Sequence, residues 1–287
     1  MKQEIWFIIN PTSGISNKKR IENQIKNYLD SAKYTYSIFY TDYSGHGSEL
    51  ARQGISEKVQ VICAVGGDGT VHEIATALIH SDVKLAIIPC GSGNGFARHF
   101  NISERVKKSI EIINQGNFTR IDTATINNIP FIQVAGVGYD AKIAFDIVNN
   151  TFRGLFKYLL LIIKSYFSYK GVSIHANGKV DRYFMATVAN TKEYGNGFQI
   201  SPTSKADDGK LELVLVKKPP IYDLTWMTLR FLLGTSSRSK YVETIQLEEI
   251  TFSTDSAHFQ MDGEGFLNKF SELNFHIVPK SLFVIHP

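Results

Sequence analysis

Apolar residues follow two rhythms along the chain. Ile5–Ile9, Val59–Val65 and Lys84–Ile88 are short, mostly continuous apolar runs, the pattern of strands buried on both faces of a parallel sheet, and Tyr34–Tyr40 alternates as a strand. Between them Ile21, Ile25 and Leu29, the stretch Glu49–Ile55, and Ile74, Ala75 and Leu78 after Val71 recur at helical spacing, with His46 and Ser48 in the loop before the second helix. Repeated strand-then-helix units predict an α/β layer with a mainly parallel sheet, whose ligands bind beyond the carboxyl ends of the strands.

From Arg120 the rhythm changes to short alternating segments. RIDTATI and PFIQVAG flank Asn127-Asn128, and VSIHA and DRYFMATVAN flank Asn177-Gly178, both hairpin signals. LELVLV, YVETIQLEEITF, AHFQMDGE, ELNFHIV and SLFVIH follow, predicting a largely antiparallel, β-rich second domain. The expected division is 1–121 and 122–287. Two helical patterns interrupt the strands. Thr151–Lys170 sets Phe152, Leu155, Phe156, Leu159, Ile163, Tyr166 and Phe167 on one stripe, with Arg153, Lys157 and Lys164 off it. It reads as a cover for the second sheet or as a surface for membrane or a lipid tail, and Ile221–Leu233, with Trp226 and Phe231, is a second candidate for that role.

Composition narrows the class of protein. The 287 residues are 43% hydrophobic, enough for real cores, and the net charge of +4 is too small to argue for nucleic acid, though it suits an anionic lipid or nucleotide. The longest apolar run, Tyr158–Ile163, is too short to span a membrane, and MKQEIWFIIN has no cleavage pattern of a secretory signal. Cys63 and Cys90 form no metal-ligand spacing, which fits a reducing, cytoplasmic setting.

The candidate chemistry lies in the turns. After Val59–Val65 come Gly66, Gly67 and Gly69, and a strand, a glycine turn and a helix start together place free N–H groups and a positive helix end at one point, as a phosphate site requires. Asp68 inside that turn either caps the helix or, beside a bound phosphate, implies metal or proton chemistry. Asn10-Pro11-Thr12-Ser13-Gly14 and Gly91–Asn94 follow strands in the same way, so three turns are expected to converge on one sheet edge. GxxxxGK[ST] is absent, and Gly136-Val137-Gly138 lies too late, with no acid-ended strand at the right distance, to serve a dinucleotide.

Taken together, NPTSG at 10–14, GGDGTVHE at 66–73, PCGSGNGFAR at 89–98, SPTSKADDGKLEL at 201–213 and MDGE at 261–264 resemble the diacylglycerol kinase catalytic-domain family, which includes sphingosine and ceramide kinases. The resemblance implies ATP in a cleft between the two domains and a lipid hydroxyl that accepts the γ-phosphate. Asn10, Pro11, Thr12, Ser13, Gly14, Thr41, Gly66, Gly67, Asp68, Gly69, Thr70, Val71, His72 and Ser92 match ATP-contacting positions. Asp68 matches the acid that organises Mg²⁺ and the phosphates, and Glu264 the general base. Asp208, with main-chain oxygens of Lys205 and Lys210, matches a metal site, and Asp122 matches an acid that connects metal-bound water to the active centre.

The expected activity is therefore ATP- and Mg²⁺-dependent phosphorylation of a lipid, diacylglycerol first, by a cytoplasmic protein in transient contact with membrane; whether it forms a homodimer stays open. Two departures bear on the acceptor: His72 replaces a common asparagine, and Gly95 stands where diacylglycerol-type bacterial members often carry an acid. A sphingoid-base or ceramide kinase, an NAD kinase and a non-catalytic lipid-binding protein are the alternatives.

Overall fold

The computed structural model describes residues 2–14, 18–149, 165–176 and 178–287. β1 (Gln3–Ile9), α1 (Lys18–Tyr28), β2 (Tyr34–Tyr40), α2 (His46–Ser56), β3 (Val61–Gly66), α3 (Asp68–Leu78) and β4 (Lys84–Pro89) alternate as expected, and the strands lie parallel in the order β2-β1-β3-β4. Both faces of β1 are buried. Ile5, Phe7 and Ile9 pack with Ile21 and Ile25 of α1, while Trp6 and Ile8 pack with α2 and α3 residues such as Leu50 and Ile74. Because β2 and β3 flank β1 on opposite sides, the chain reverses its winding there and leaves a crevice beyond Ile9 and Gly66. α2 starts at His46 rather than after Ser48, since Gly45 takes a φ of 91° and Glu73 receives the helix's first N–H groups.

After the short α4 (Gly95–His99) and α5 (Val106–Gln115), β5 (Phe118–Ile126) and β6 (Ile129–Phe131) form a hairpin through Asn127 and Asn128, both at positive φ. β7 (Val134–Gly138) then leads into α6 (Tyr139–Asn149). β8 (Val172–Ala176), β9 (Lys179–Tyr183), β10 (Met185–Ala189) and β11 (Leu211–Val216) precede α7 (Ile221–Leu232). β12 (Val242–Leu247), β13 (Glu249–Thr254), β14 (His258–Met261), β15 (Glu264–Leu267) and β16 (Glu272–Ile285) complete the chain.

Among the described residues these later strands form two layers. β12-β11-β10-β7-β14-β15 is one antiparallel sheet, and β16-β13-β8-β9, with β5 and β6, continues from β4 as the other. Their facing side chains, including Ala124, Phe131, Val137, Val188, Leu213, Phe252 and Phe275, share one core. The stretches DRYFMATVAN and YVETIQLEEITF, which read as single strands, each divide between the layers, at Phe184 and at Glu248. ELNFHIV and SLFVIH instead form one strand, β16, with an irregularity between Val278 and Leu282. Its last residues run parallel to β4, so the chain's end returns to the first lobe. The aromatic stripe expected over 151–170 lies outside the described residues up to 164; the turn at 165–168 is helical, and Tyr166 packs with Met227 and Phe231 on the outer face of the second sheet.

Asp122, fully buried in β5, holds that irregularity. Its Oδ1 accepts the Lys280 N–H at 2.7 Å, where φ is +48°, and its Oδ2 accepts the Gly209 N–H at 2.7 Å. Replacing Asp122 by Ala leaves both donors without their acceptor, and charged hydrogen bonds of this kind lead to an expected loss of about 2–4 kcal/mol in a urea melt. An Asp122→Ala protein as stable as the parent removes this account of the β16 bend.

Candidate active site

The crevice is built from loops that β1, β3 and β4 deliver to one edge. Asn10 follows β1, donates its own N–H to Val65 O at 3.0 Å, and through Oδ1 accepts Thr12 N–H at 2.9 Å and Thr12 Oγ1–H at 2.8 Å. This side-chain turn folds the loop back on itself. Asn10 Nδ2 donates to Thr70 Oγ1 at 3.1 Å, tying the loop to the first turn of α3.

Close backbone approach requires glycine in the next two loops. A β-carbon on Gly91 would lie 2.5 Å from Gly67 Cα, and one on Gly66 would lie 2.4 Å from Thr70 Oγ1. Asp68 opens α3 without capping it; its Oδ1 faces the Phe96 N–H at 3.4 Å, and its Oδ2 would lie 2.7 Å from a β-carbon on Gly93. Burial pushes the Asp68 carboxyl up, against the pull of the N–H groups of Phe96, Asn94 and Gly95. The loop is clamped from the second lobe, where a β-carbon on Gly95 would meet the Tyr194 carbonyl at 2.8 Å and Asn196 N–H donates to Gly93 O at 3.0 Å.

The second lobe brings Glu264 to this edge. Oε1 of Glu264 lies 3.4 Å from where a Gly69 β-carbon would stand, so the acid of the late motif faces the glycine turn of the early one. Asp262 fixes the turn before it: its carboxylate accepts the N–H groups of Ile132, Gln133 and Val134 at 2.8–3.0 Å and meets His72 Nδ1 at 2.6 Å. Burial disfavours the charged imidazole, but the Asp262 hydrogen bond and charge, with Glu264 and Glu73 beyond, carry His72 above its ordinary value. Gln260 donates to Asp140 at 3.4 Å and accepts the Gly263 N–H at 3.2 Å, and Asp140 also accepts the hydroxyls of Tyr194 at 2.6 Å and Thr187 at 3.2 Å. Burial holds the Asp140 carboxyl up despite these donors and the backbone N–H groups of Asp140 and Ala141.

The resulting cleft, about 370 Å³, is lined by the expected Asn10, Pro11, Thr12, Ser13, Thr41, Gly67, Gly69, Thr70 and Glu264. Asp42, Tyr43 and Ser44, which belong to no motif, line it as well, as does Glu73 at the end of GGDGTVHE, which also accepts the Gly45 and Gly47 N–H groups at 2.8 and 3.1 Å. Other expected residues stand behind the lining. Asp68 lies between the two glycine loops, Gly14 sits against Cys90 O, Gly66 against Thr70, His72 on Asp262, and Ser92 is exposed on its loop. Val71 is buried in the core beneath α3 and offers a ligand only backbone.

Lys205, Asp208 and Lys210 are exposed on one loop apart from the cleft lining. Glu212 anchors the segment before it by accepting the hydroxyls of Ser201, Thr203 and Ser204. The donor set is oxygen only, which suits Mg²⁺, with Asp208 Oδ1 3.1 Å from the Lys210 N–H; each Asp122 oxygen already accepts a backbone N–H. Among the described residues no three His, Cys, Asp or Glu side chains gather as a metal cluster.

Comparison with known proteins agrees with this layout. Residues 4–126 match the family model of the diacylglycerol kinase catalytic domain, and residues 133–286 match that of the YegS C-terminal NAD kinase beta sandwich-like domain. The candidate lipid kinase YtlR of Bacillus subtilis is 28% identical, over 90% of this chain and 92% of its own. Diacylglycerol kinase of the same organism is 27% identical, over 90% of this chain and 88% of its own. A crystal structure of a candidate diacylglycerol kinase from Bacillus anthracis shares the fold, with a TM-score of 0.78 at 21% identity, covering 99% of this chain and 97% of that one. Among the described residues no helix is long and apolar enough to cross a membrane.

The His72–Asp262 pair carries a pH signature. Because His72 is raised in the fold, its contribution to stability is fully present below about pH 6.5 and is lost as pH rises through the higher folded-state value. His72→Gln is expected to cost about 1–3 kcal/mol at pH near 6 and less above that value, read from urea melts of both proteins. A difference between the two that does not change with pH excludes a charged pair.

Proposed function

This chain belongs to the diacylglycerol kinase catalytic-domain family and is a lipid kinase of that type; from that premise we propose that it transfers the γ-phosphate of ATP to the hydroxyl of diacylglycerol, with Glu264 as the base. The observation that carries the reading is the placement of Glu264, a second-lobe carboxylate, beside Gly69 at the positive end of α3. The acceptor hydroxyl gives its proton to Glu264 while its oxygen bonds to the γ-phosphorus, and the bond to the β,γ-bridging oxygen breaks to leave ADP.

The protein's share of catalysis is positioning. The first-turn N–H groups of α3 have no intrahelical partners and receive phosphate oxygens, and the Thr70 hydroxyl, whose oxygen accepts from Asn10 Nδ2, adds a donor. The described lining holds Asp42, Glu73 and Glu264 but no Lys or Arg, so charge on the nucleotide is met by backbone dipoles and by the cation that travels with it. That cation, Mg²⁺, would supply charge neutralisation, with Asp68, held between the two glycine loops, as the motif acid that would organise it and Asp208 and the 205 and 210 carbonyls as a separate, structural site. Transient contact with a membrane, where the acceptor resides, belongs to the same reading.

A sphingoid or other long-chain alcohol is a second reading of the acceptor, favoured by position 95. The Tyr194 backbone leaves no room there for the acid that diacylglycerol-type bacterial members often carry.

Glu264→Gln keeps size and hydrogen bonding but cannot take the proton. Its turnover is expected to fall by about 10²–10⁴ with ATP affinity nearly unchanged, measured with labelled ATP, Mg²⁺ and a panel of diacylglycerol, sphingoid base and ceramide. Near-normal turnover removes Glu264 from the role. Label in a sphingoid base rather than in diacylglycerol decides for the second reading, and label in none of the lipids ends both.

A further inference from the structure

α7 carries apolar residues on two opposite sides. Met227 and Phe231 are buried against the second sheet, Phe231 stacking on Phe198 with ring centroids 4.8 Å apart. Tyr222, Trp226, Leu229 and Leu233, the last just past the helix end, recur at turn spacing and are 80%, 57%, 39% and 65% exposed. One stripe is enough to cover a core, so the second is apolar surface presented to the outside.

The neighbourhood of this stripe is cationic. A pocket of about 300 Å³ beside it is lined by Trp226, Arg230, Arg238 and Lys240, with Asp223 its acid. Asp223 is engaged by the Tyr241 hydroxyl at 2.5 Å, and the Arg230 guanidinium lies 5.7 Å from the Trp226 ring centre. Residues 217–243 hold five cations and two acids, so much of the chain's net charge of +4 is concentrated here. Trp and Tyr ends are polar and their bodies apolar, the combination that settles at the headgroup level of a bilayer, where basic side chains meet anionic lipid.

We propose that this face of α7 docks on an anionic phospholipid surface, the Tyr222–Leu233 stripe entering the interfacial layer and the Arg230–Arg238–Lys240 pocket receiving a lipid phosphate. The proposal deepens the lipid-kinase reading, since it places the protein where an acceptor lipid resides, but its binding test needs no catalysis. The docking face is also connected to the cleft. Gln199 N–H donates to Phe231 O at 3.0 Å, and the Tyr194 backbone five residues earlier packs on Gly95 beside the Asp68 loop.

The test uses the full chain with vesicles of dioleoylphosphatidylglycerol or of dioleoylphosphatidylcholine, read by co-sedimentation and tryptophan emission. Trp6 is buried at 2% exposure, so a blue shift reports Trp226. Expected are binding and a blue shift with the anionic vesicles, much weaker binding to the zwitterionic ones, and loss of at least about tenfold in Trp226→Ser/Leu229→Ser/Leu233→Ser. Arg230→Glu/Arg238→Glu/Lys240→Glu should lose binding too. All these side chains lie at the surface or in the open pocket, and circular dichroism melts confirm that each variant folds; Arg238→Gln/Lys240→Gln is a milder second test that should weaken anionic binding in proportion to charge.

Equal binding to both vesicles, no binding, or full binding by the folded variants overturns the proposal. So does an affinity for inorganic phosphate that accounts for all the anion dependence, or self-association of the parent through this face in gel filtration. Turnover of a monomeric short-chain diacylglycerol should be unchanged in the variants. Lost vesicle binding by the parent with that turnover intact defeats the docking surface alone, whereas vesicle binding without any turnover defeats only the kinase reading.

Discussion

A buried carboxylate costs several kcal/mol unless its charge and lone pairs are answered, and in this molecule the answer comes from both lobes. Asp262 receives three consecutive N–H groups from 132–134 and the imidazole of His72 on α3. Removing either side leaves a charge without compensation, so the turn it occupies has one stable position relative to α3. Glu264, two residues on, inherits that position and stands opposite Gly69. The pair therefore acts on the chemistry indirectly, by fixing the distance between the proton acceptor and the helix end that holds phosphate.

The same logic of forced proximity governs the first lobe. Gly91 approaches Gly67 more closely than a side chain allows, and Gly95 does so against Tyr194, so three loops meet where a β-carbon on Gly91 or Gly95 has no room. What remains at the meeting point is backbone, with N–H groups able to face an anion. The reversal of winding between β1 and β3 supplies the crevice, and the loops supply its polarity.

Much of this was legible locally. Val59–Leu78 announces a strand, a glycine turn and a helix because burial on both faces, absent side chains and helical spacing are all properties of neighbouring residues. The division of DRYFMATVAN at Phe184 and of YVETIQLEEITF at Glu248 was not legible, because period-two alternation says which residues share a face and nothing about which sheet they join. For the same reason ELNFHIV and SLFVIH read as two strands: Pro279 marks a break, and the Asp122 carboxylate that carries the strand through it lies 158 residues away. The capping of α2 by Glu73, the last residue of GGDGTVHE, and the Asp140–Gln260 contact were not legible, because a cap or a buried link across separate elements leaves no spacing in the sequence. His72 was matched to a nucleotide position by motif, and its contact with Asp262 adds a partner that spacing does not reveal.

The continuity of the first sheet bears on how the cleft works. β16 pairs with β13 and β5 along most of its length and then with β4, so the two lobes share one strand as well as the chain passing through β5. A large hinge opening would have to break ladder hydrogen bonds or straighten the bend at Lys280, which Asp122 opposes. The shared strand favours a cleft already formed, with motion confined to its lining loops. A site preorganised in this way spends little free energy on rearrangement when the nucleotide arrives, which suits a reaction whose catalysis is mostly positioning and charge neutralisation.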